Sequence, residues 1–234
     1  MAFQATMNVV QTGARELWAL SRSVAWPVAL LSPLPPIGTT SVARRPAVLI
    51  HGYLAHAQMM RPLQRTLRHN GWEHTHLVSY PSLGADIEHI VQRIHDTVVP
   101  LAAQHGPVDL IAHSLGAVSA RIWMKMGPGA AHVARFVSLG GPHAGTGLHR
   151  LMPGHLHTVL DPEGPWVRAI AHGPEPVPTI IIRARYDHQV LPPRRAHVSG
   201  VPEVVLPNVG HNSLLWSREA HDQTVAFLSR EPTA

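Results

Sequence analysis

The sequence contains no cysteine, only one lysine (Lys125), and few aromatic or charged residues, which make up 5% and 14% of its 234 positions. Without cysteine the chain can form no disulfide, and it offers neither a thiol nucleophile nor a cysteine-based zinc site. The low charged fraction, beside 45% hydrophobic residues, is typical of a globular chain and excludes a largely disordered one. The length fits one domain with a sizeable core.

The formal net charge of +5 comes almost wholly from arginine, and the basic residues are scattered apart from two adjacent pairs, Arg44-Arg45 and Arg194-Arg195. No basic stripe indicates binding to nucleic acid. An arginine-rich surface can attract anionic membranes or can simply be solvated, and the charge does not decide between these two interpretations.

Histidine is abundant, with 19 residues, but the sequence has neither an HExxH helix nor the paired Cys/His spacing of a zinc site. The one cluster along the chain is formed by His155 and His157, with His143 and His149 nearby. Surface or packing roles are the favoured interpretation of these histidines. We therefore predict no metal site.

Residues 1–45 differ in composition from the rest of the chain. Apolar residues recur there at helical spacing, and the proline-rich run Ser32–Pro36 follows them, which predicts an N-terminal helical leader and a linker. The apolar stretch is interrupted by Pro27 and is too short and too polar for a membrane span or an ordinary secretory signal.

Three interpretations of this leader stay open: a helix packed on the domain, an amphipathic anchor at a membrane or lipid interface formed by residues 14–31, and an atypical export signal. We expect a cytoplasmic or membrane-associated protein in preference to a secreted one.

From Pro46 onward, short apolar runs alternate with amphipathic segments, which is the pattern of a parallel sheet flanked by helices. The predicted strands are Ala47–His51, His74–Ser79, Val108–Ala112, Val133–Leu139, Thr179–Ala184 and Glu203–Leu206. The predicted helices are Met59–Arg68, Ile87–Gln104, Leu115–Met126 and Leu214–Leu228. We therefore expect an α/β domain over residues 46–234.

The third predicted strand ends at a serine, Ser114, and a helical pattern begins directly after it. This has the form of a nucleophile elbow, in which the turn from strand to helix is so sharp that the residues two before and two after the serine must be small. Ala112 and Gly116 meet that requirement. The start of the following helix favours negative charge near the serine, so Ser114 is the predicted nucleophile.

The first predicted strand ends in His51-Gly52-Tyr53. In serine hydrolases of this type, the loop after such a strand supplies one donor to the oxyanion of the tetrahedral intermediate, and the residue after the nucleophile supplies another. We assign these donors to the backbone N–H groups of Tyr53 and Leu115. For His51 itself, a structural role in the loop is favoured over a catalytic one.

The base and its acid partner are expected on loops after the last two strands, in the chain order Ser, acid, His. His211 follows the strand Glu203–Leu206, after a glycine that gives the loop backbone freedom. Asp187 follows the strand Thr179–Ala184, at the carboxyl edge where active-site loops gather in open α/β sheets. Asp187 is predicted to orient the His211 imidazole and to stabilise its charged form.

These motifs together resemble bacterial lipases and esterases of the α/β-hydrolase superfamily, especially the small, lidless Bacillus-type lipases, whose elbow also begins with alanine. The segments that carry the resemblance are Ile50–Tyr53, Ala112–Gly116, Leu139–Thr146, Tyr186-Asp187 and Val209–His211. The resemblance covers about residues 46–230. It implies a three-layer α/β-hydrolase fold, with a mostly parallel sheet of about six strands flanked by helices.

Residues 142–178 form a longer stretch than the minimal lidless lipases have, and in related enzymes an insertion here forms a cap or a pocket wall. Pro153 and Gly154 argue against one long lid helix. The residues predicted to contact substrate are Leu148, Leu156 and Trp166 in this insertion, together with His51 and Gly52. A small packed helix covering the sheet would explain the same apolar residues equally well.

The resemblance implies hydrolysis of carboxylic esters, with acylglycerol-like esters or lipids as substrates, through an acyl-enzyme on Ser114 and without a cofactor. A thioesterase, an amidase or an acyltransferase would use the same triad. A hydrolase-like binding protein without catalysis is the alternative from a different class of protein.

Overall fold

Six short strands form one fully parallel sheet in this computed structural model, which describes residues 11–19, 21, 37, 44–82, 84 and 86–230. The strands are β1 (Ala47–Ile50), β2 (Thr75–Val78), β3 (Val108–His113), β4 (Val133–Leu139), β5 (Thr179–Ala184) and β6 (Glu203–Leu206). The central strands read as nearly continuous apolar runs, because helices cover the sheet on both faces. The predicted parallel sheet of six strands is confirmed.

The strand order is β2-β1-β3-β4-β5-β6, so the direction of winding reverses at β1 and β3. Ligands of open α/β sheets bind in the crevice outside the carboxyl ends of the strands at such a reversal. Ile50 pairs with Ala112 in the register of β1 and β3, so the segments after Ile50 and after His113 leave the sheet side by side.

The helices divide between the two faces of the sheet. They are α1 (Arg61–His69), α2 (Ile87–His105), α3 (Leu115–Met126), α4 (Leu156–Val159), α5 (Pro165–Ala171) and α6 (Arg218–Leu228). One core cluster joins apolar residues of α2 to α5 to alternate residues of the strands, such as Val48 and Ile50. The second cluster joins α1 and α6 to the intervening strand residues, such as Ala47 and Leu49. Successive strand side chains point to opposite faces of the sheet, so the strands contribute to both clusters. The fold therefore has three layers, with the sheet between two layers of helices.

The last helix begins later than its apolar spacing predicts. Residues Ser213–Trp216 form a short 3₁₀ turn, and α6 follows it from Arg218. Ser217 has an extended backbone (φ −75°, ψ 119°), and its side chain accepts a hydrogen bond from the Ala220 N–H, which caps the new helix. The predicted start at Leu214 was therefore wrong, because a capping serine interrupts an apolar pattern that continues on both sides of it.

The segment 142–178 contains only short elements: a 3₁₀ turn at His149–Leu151 and the helices α4 and α5. Its apolar residues Leu156, Val159 and Ile170 are buried in the core cluster around α3. Arg121 of α3 pairs with Glu175 at 2.5 Å and fixes the end of the segment. A role for this segment as a cap stays a prediction.

Residues 11–19 are helical and bury Thr12, Glu16 and Ala19 while Leu17 and Trp18 are exposed. This part of the predicted leader packs on the domain, since the Glu16 carboxylate accepts hydrogen bonds from Asn212 and Ser213. The proline-rich run and much of the predicted anchor at 14–31 lie outside the described residues. Among the residues that are described, no helix is both long enough and apolar enough to cross a bilayer.

Asp109 is a buried carboxyl group at the start of β3, only 2% exposed. Its Oδ2 accepts a hydrogen bond of 3.2 Å from the Trp72 indole N–H, on the α1 side of the sheet. Burial raises the pKa of Asp109 from its ordinary value of 3.8 to about 6, against the opposing effects of that hydrogen bond and of nearby arginines.

We predict that Asp109→Asn increases the free energy of unfolding near neutral pH. The folded pKa lies above the unfolded one, so the stability contributed by the protonated carboxyl is complete below the unfolded value of 3.8 and is lost as the pH rises through about 6. Asparagine removes that loss, so the variant should gain on the order of 2 kcal/mol at pH values above this window and almost nothing below it. Urea unfolding at a series of pH values measures this, and a gain that does not depend on pH would contradict it.

Candidate active site

Ser114 lies in the turn between β3 and α3 with an unusual backbone conformation. Its φ of 54° and ψ of −123° are outside the regions that residues with side chains ordinarily occupy. The turn is held by a hydrogen bond of 3.0 Å from the Ser114 N–H to the Leu139 carbonyl of β4. Such strain persists only where the surrounding structure enforces it, and it is concentrated at functional sites. The predicted elbow at Ser114 therefore has the geometry of a nucleophile turn.

Two glycines allow the close backbone approach that this turn requires. A Cβ added to Gly116 would lie 2.3 Å from the His51 carbonyl oxygen and 2.8 Å from the Ile50 side chain. A Cβ added to Gly52 would lie 2.8 Å from the Ser114 Cβ. The start of α3 and the end of β1 are thus in direct contact, and only glycine fits at either position.

The structure brings Ser114, His211 and Asp187 into one hydrogen-bonded line. The Ser114 Oγ and His211 Nε2 are 2.8 Å apart, and the His211 Nδ1 and Asp187 Oδ2 are also 2.8 Å apart. His211 and Asp187 are buried, at 1% and 4% exposure, while Ser114 is half-buried. These residues come from the segments after β3, β5 and β6, and they meet at the carboxyl edge of the sheet.

Asp187 is fixed by the start of its own loop. Its Oδ1 accepts hydrogen bonds of 2.8 Å from the N–H groups of Gln189 and Val190, while Oδ2 faces His211. Burial acts to raise the pKa of Asp187, but the charge and hydrogen bond of His211 and the two backbone donors together lower it. Asp187 is therefore an ionised and rigidly oriented partner for the imidazole.

His211 is the basic imidazole of the site. Burial acts to lower its pKa, but the charge and hydrogen bond of Asp187, assisted by the charge of Glu16, outweigh burial and raise the pKa above 6.5. The Nδ1 hydrogen bond to Asp187 leaves Nε2 directed at the Ser114 hydroxyl. In this arrangement the imidazole can accept the serine proton.

The predicted oxyanion donors lie on either side of the serine. Leu115 is the first residue of α3, and an N–H group there has no acceptor within its own helix. Tyr53 follows Gly52, whose backbone passes against Ser114. The residue after Tyr53, Leu54, has a φ of 49°. In the described part of the chain, Leu54 and Ser114 are the two residues other than glycine with a positive φ. The assignment of Tyr53 and Leu115 as donors stays a prediction.

His51 is a buried part of the loop framework. Its ring stacks on Tyr80 at 4.0 Å between centroids, its Nδ1 lies 3.0 Å from the Gly52 carbonyl oxygen, and the Tyr80 hydroxyl donates to the His51 carbonyl. Burial lowers the pKa of His51 to about 4, so the ring is neutral at neutral pH. These contacts hold the His51 ring within the loop, and both its structural role and the contact of His51 and Gly52 with substrate stay predictions.

The predicted substrate contacts in the insertion are dispersed. Leu156 is 2% exposed and belongs to the core cluster around α3. Trp166 packs against that cluster and lines a hollow between α2 and α3, with Trp123 and Met126. Leu148 is half-buried near Thr146. The burial of Leu156 and the packing of Trp166 fit the interpretation of a small helix that covers the sheet. Contact of Leu148, Leu156 or Trp166 with substrate stays a prediction.

The insertion and the acid loop are joined by Thr146, which sequence reasoning did not single out. Its hydroxyl donates to the Gln189 carbonyl at 2.7 Å and accepts from the Leu191 N–H at 3.1 Å. Glu16, which contacts the loop of His211, was also missed as a site residue. Neither has a sequence signal, because a single threonine in a loop or a single glutamate in an amphipathic helix is compatible with many environments.

The histidines of the insertion are engaged separately. His143 is buried with its Nε2 2.7 Å from the Ser138 hydroxyl, His149 and His157 contact backbone carbonyls, and His155 lies 3.8 Å from Glu88. Within the described ranges, no three His, Asp or Glu side chains are grouped closely enough to hold a metal ion.

We predict that Gly116→Ala destabilises the fold, although alanine is the better helix former. The added Cβ would meet the His51 backbone, which cannot move without separating α3 from β1. The expected loss is about 3 kcal/mol in the free energy of unfolding, whereas helix propensity alone predicts a gain of about 1 kcal/mol. Gly13→Ala, where the Cβ meets nothing within 4 Å, is the matched control and should not lose stability. A stable Gly116→Ala protein in denaturant unfolding would refute the close-approach argument.

Comparison with known proteins relates the fold to bacterial lipolytic enzymes. No protein-family model matches the chain, and no curated protein matches its sequence. Among solved structures, the mature lipase BlEst2 of Bacillus licheniformis is 12% identical, with a TM-score of 0.71 over 84% of this chain and 97% of that one. A structure described for the metagenome-derived lipolytic enzymes LipS and LipT is 17% identical, with a TM-score of 0.64 over 86% and 100%.

A membrane phospholipase A described as a bacterial virulence factor is 16% identical, with a TM-score of 0.56, and covers 97% of this chain and 95% of its own. The expected structural resemblance to bacterial lipases and esterases is thereby confirmed at the level of the fold. The chain has the α/β-hydrolase fold.

Proposed function

We propose that the protein is a serine hydrolase that cleaves carboxylic esters of the lipase and esterase type. The observation that carries the proposal is the hydrogen-bonded line from the Ser114 hydroxyl through His211 to Asp187, at 2.8 Å for each contact. A line of this kind on a strained strand-to-helix turn is the arrangement that activates a serine for acyl transfer.

The reaction follows from the roles of these three groups. Ser114 attacks the ester carbonyl carbon as His211 takes the hydroxyl proton, and the N–H groups of Tyr53 and Leu115 stabilise the oxyanion. The intermediate expels the alcohol, which receives the proton from His211, and an acyl-enzyme remains on Ser114. Water then attacks the acyl-enzyme with His211 again as base, and this releases the carboxylic acid and restores the hydroxyl.

Two observations favour esters with an apolar acyl group over other acyl substrates. A cavity of about 620 Å³ with a mainly apolar wall adjoins Asp187; Glu16, Leu17 and Tyr186 are among the residues that line it, whereas Ser114 and His211 are not. The solved structures with the same fold include proteins described as a lipase, lipolytic enzymes and a membrane phospholipase A. Acylglycerol-like esters are therefore the proposed substrate class.

We predict that Ser114→Ala lowers kcat by about 10⁴-fold or more on p-nitrophenyl esters, because the covalent route is lost. A panel of esters from short to long acyl chains, assayed on both proteins, measures this loss and the chain-length preference. Ser229→Ala, an exposed serine at the end of α6, is the control and should keep full activity.

A fluorophosphonate probe should label the native protein and not Ser114→Ala. Equal ester hydrolysis by the two proteins would end the mechanism. A native protein that neither hydrolyses esters nor reacts with the probe would instead be a hydrolase-like binding protein, and preferential turnover of thioesters, amides or acyl acceptors would change the substrate class while keeping the triad.

We predict that Asp187→Asn shifts the acid limb of the kcat/KM profile to lower pH. His211 acts as a base only when neutral, and Asp187 raises its pKa, so removal of the carboxylate charge lowers the pH at which the base becomes protonated. The plateau rate should fall by about 10⁴-fold, because the imidazole loses its orienting partner.

Asp161→Asn is the matched control, since Asp161 is a half-exposed carboxylate in the insertion whose Oδ1 accepts from the Glu163 N–H. Its pH profile should coincide with that of the native enzyme. A large loss in Asp161→Asn with little change in Asp187→Asn would reverse the assignment of the acid.

A further inference from the structure

A second carboxylate, that of Glu16 in the helical segment 11–19, is buried directly behind the loop of His211. Glu16 is 7% exposed. Its Oε1 accepts a hydrogen bond of 2.7 Å from the Ser213 N–H, and its Oε2 accepts from the Asn212 N–H at 3.1 Å and from the Asn212 side-chain amide at 3.3 Å. A buried carboxylate is costly unless such donors compensate it, so the loop and the carboxylate stabilise each other.

The residue before His211 is also shaped by Glu16. A Cβ added to Gly210 would lie 2.5 Å from the Glu16 Cγ and 2.7 Å from its Cδ, so the glycine at this position makes room for the glutamate. The Gly210 N–H donates to the Ser213 hydroxyl at 2.9 Å, which closes the loop around His211. Glu16 therefore touches the residue on each side of the histidine.

The His113 Nε2 lies 3.1 Å from the His211 carbonyl oxygen. This contact and the hydrogen bonds that the Asn212 and Ser213 N–H groups donate to Glu16 together hold the backbone at His211. The imidazole direction depends on that backbone, because its two nitrogens must reach Asp187 and Ser114 at the same time.

We propose that Glu16 is a positioning residue of the active site, which fixes the loop of His211 from behind and places a second negative charge near the imidazole. This inference rests on the proposed serine hydrolase function. It makes the segment 11–19 part of the catalytic apparatus, although that segment does not belong to the sheet.

The charged and titratable groups that face His211 are few. Asp187 contacts Nδ1, the ring of His113 is 4.8 Å away and the ring of His188 is 6.4 Å away, measured between centroids. His188 is half-exposed, and its Nδ1 is 3.7 Å from the Glu16 Oε2. The Glu16 charge raises the pKa of His211, in the same direction as Asp187.

A purely structural anchor and a positioning residue predict different kinetics. An anchor would change the amount or the thermal stability of folded enzyme and leave the turnover of each folded molecule, and its pH dependence, unaltered. A positioning residue changes kcat at saturating substrate and moves the pH at which His211 becomes protonated.

The first test is Glu16→Gln, which keeps the size of the side chain, removes its charge and places an amide NH₂ against the backbone donors. We expect kcat on a p-nitrophenyl ester to fall by about ten- to a hundredfold, as small displacements of catalytic groups do. Glu16 also lines the apolar cavity beside Asp187, so KM is measured together with kcat, and a change confined to KM would contradict the positioning role. The acid limb of kcat/KM should move to lower pH, because a charge that raises the pKa of His211 is lost.

Glu163→Gln is the matched control, because the side chain of this glutamate is 83% exposed and its carboxylate lies 3.7 Å from Arg168, far from the loop of His211 in sequence. It removes the same charge from the protein and should leave kcat and the pH profile unchanged. An equal shift in both variants would assign the effect to net charge alone and would overturn the proposal.

The second test is Glu16→Asp, which keeps the charge but withdraws it by one methylene from the Asn212 and Ser213 donors. We expect the acid limb to stay near its native pH while kcat falls, so this variant separates the electrostatic part from the positional part. If Glu16→Gln does not fold, the kinetics of Glu16→Asp are the test of the proposal. A native kcat in the folded Glu16→Asp variant would refute the positioning role.

The proposal and the underlying function fail in different ways. A native enzyme that hydrolyses esters and reacts with a fluorophosphonate, beside a Glu16→Gln variant with the same kcat and the same acid limb, would refute the role of Glu16 alone. A native protein with neither reaction would refute the hydrolase function itself. The pH dependence of the rate at which the probe modifies Ser114 gives a readout that does not depend on the choice of ester.

Discussion

The active-site edge depends on the close contact between the start of α3 and the carboxyl end of β1. At Gly116 the backbone of α3 approaches the His51 carbonyl so closely that no Cβ fits, and at Gly52 the loop after β1 passes against Ser114 in the same way. These two contacts force the chain through a turn in which Ser114 takes a φ of 54°. The first N–H groups of α3, which have no acceptor within the helix, follow directly after this turn. The candidate nucleophile and the start of α3 with its candidate oxyanion donor therefore depend on one steric constraint.

The other two residues of the hydrogen-bonded line are brought to this edge by the parallel topology and are then fixed locally. β5 and β6 end at the same edge as β3, so the loops that follow them can carry Asp187 and His211 to Ser114, although His211 is 97 residues from Ser114 along the chain. Topology alone sets their neighbourhood but not their orientation. Orientation comes from backbone donors to Asp187 on one side of the imidazole and from hydrogen bonds to the loop of His211 on the other. Hydrogen bonds within its own loop therefore fix Asp187, and hydrogen bonds to the Glu16 carboxylate fix the loop of His211.

Sequence reasoning succeeded where the determining interaction is local and failed where it is tertiary. The bounds of β4, β5 and β6 and of α3 match the prediction, and three of these four runs stop at a glycine or a proline, which is a local signal. Small residues on both sides of Ser114 are likewise a local requirement of the turn. The start of α6 was misplaced, because the Ser217 cap lies within an apolar pattern that continues across it. The contact of Glu16 with Ser213 joins residues 197 positions apart, and no spacing along the chain encodes that distance.

The choice of one base among 19 histidines also follows from tertiary environment. His51, His113 and His143 are all buried, and burial lowers the pKa of each, to about 4 for His51, to about 3 for His113 and well below the ordinary value for His143. Of these four buried imidazoles only His211 has a carboxylate at hydrogen-bond distance, and the charge and hydrogen bond of Asp187, with the charge of Glu16, outweigh the effect of burial and raise its pKa. The neutrality of His113 matters as much, because a charged ring 4.8 Å away would lower the basicity of His211. The candidate base His211 therefore has a neutral histidine and an ionised aspartate beside it, and proximity to Ser114 in sequence distinguishes neither.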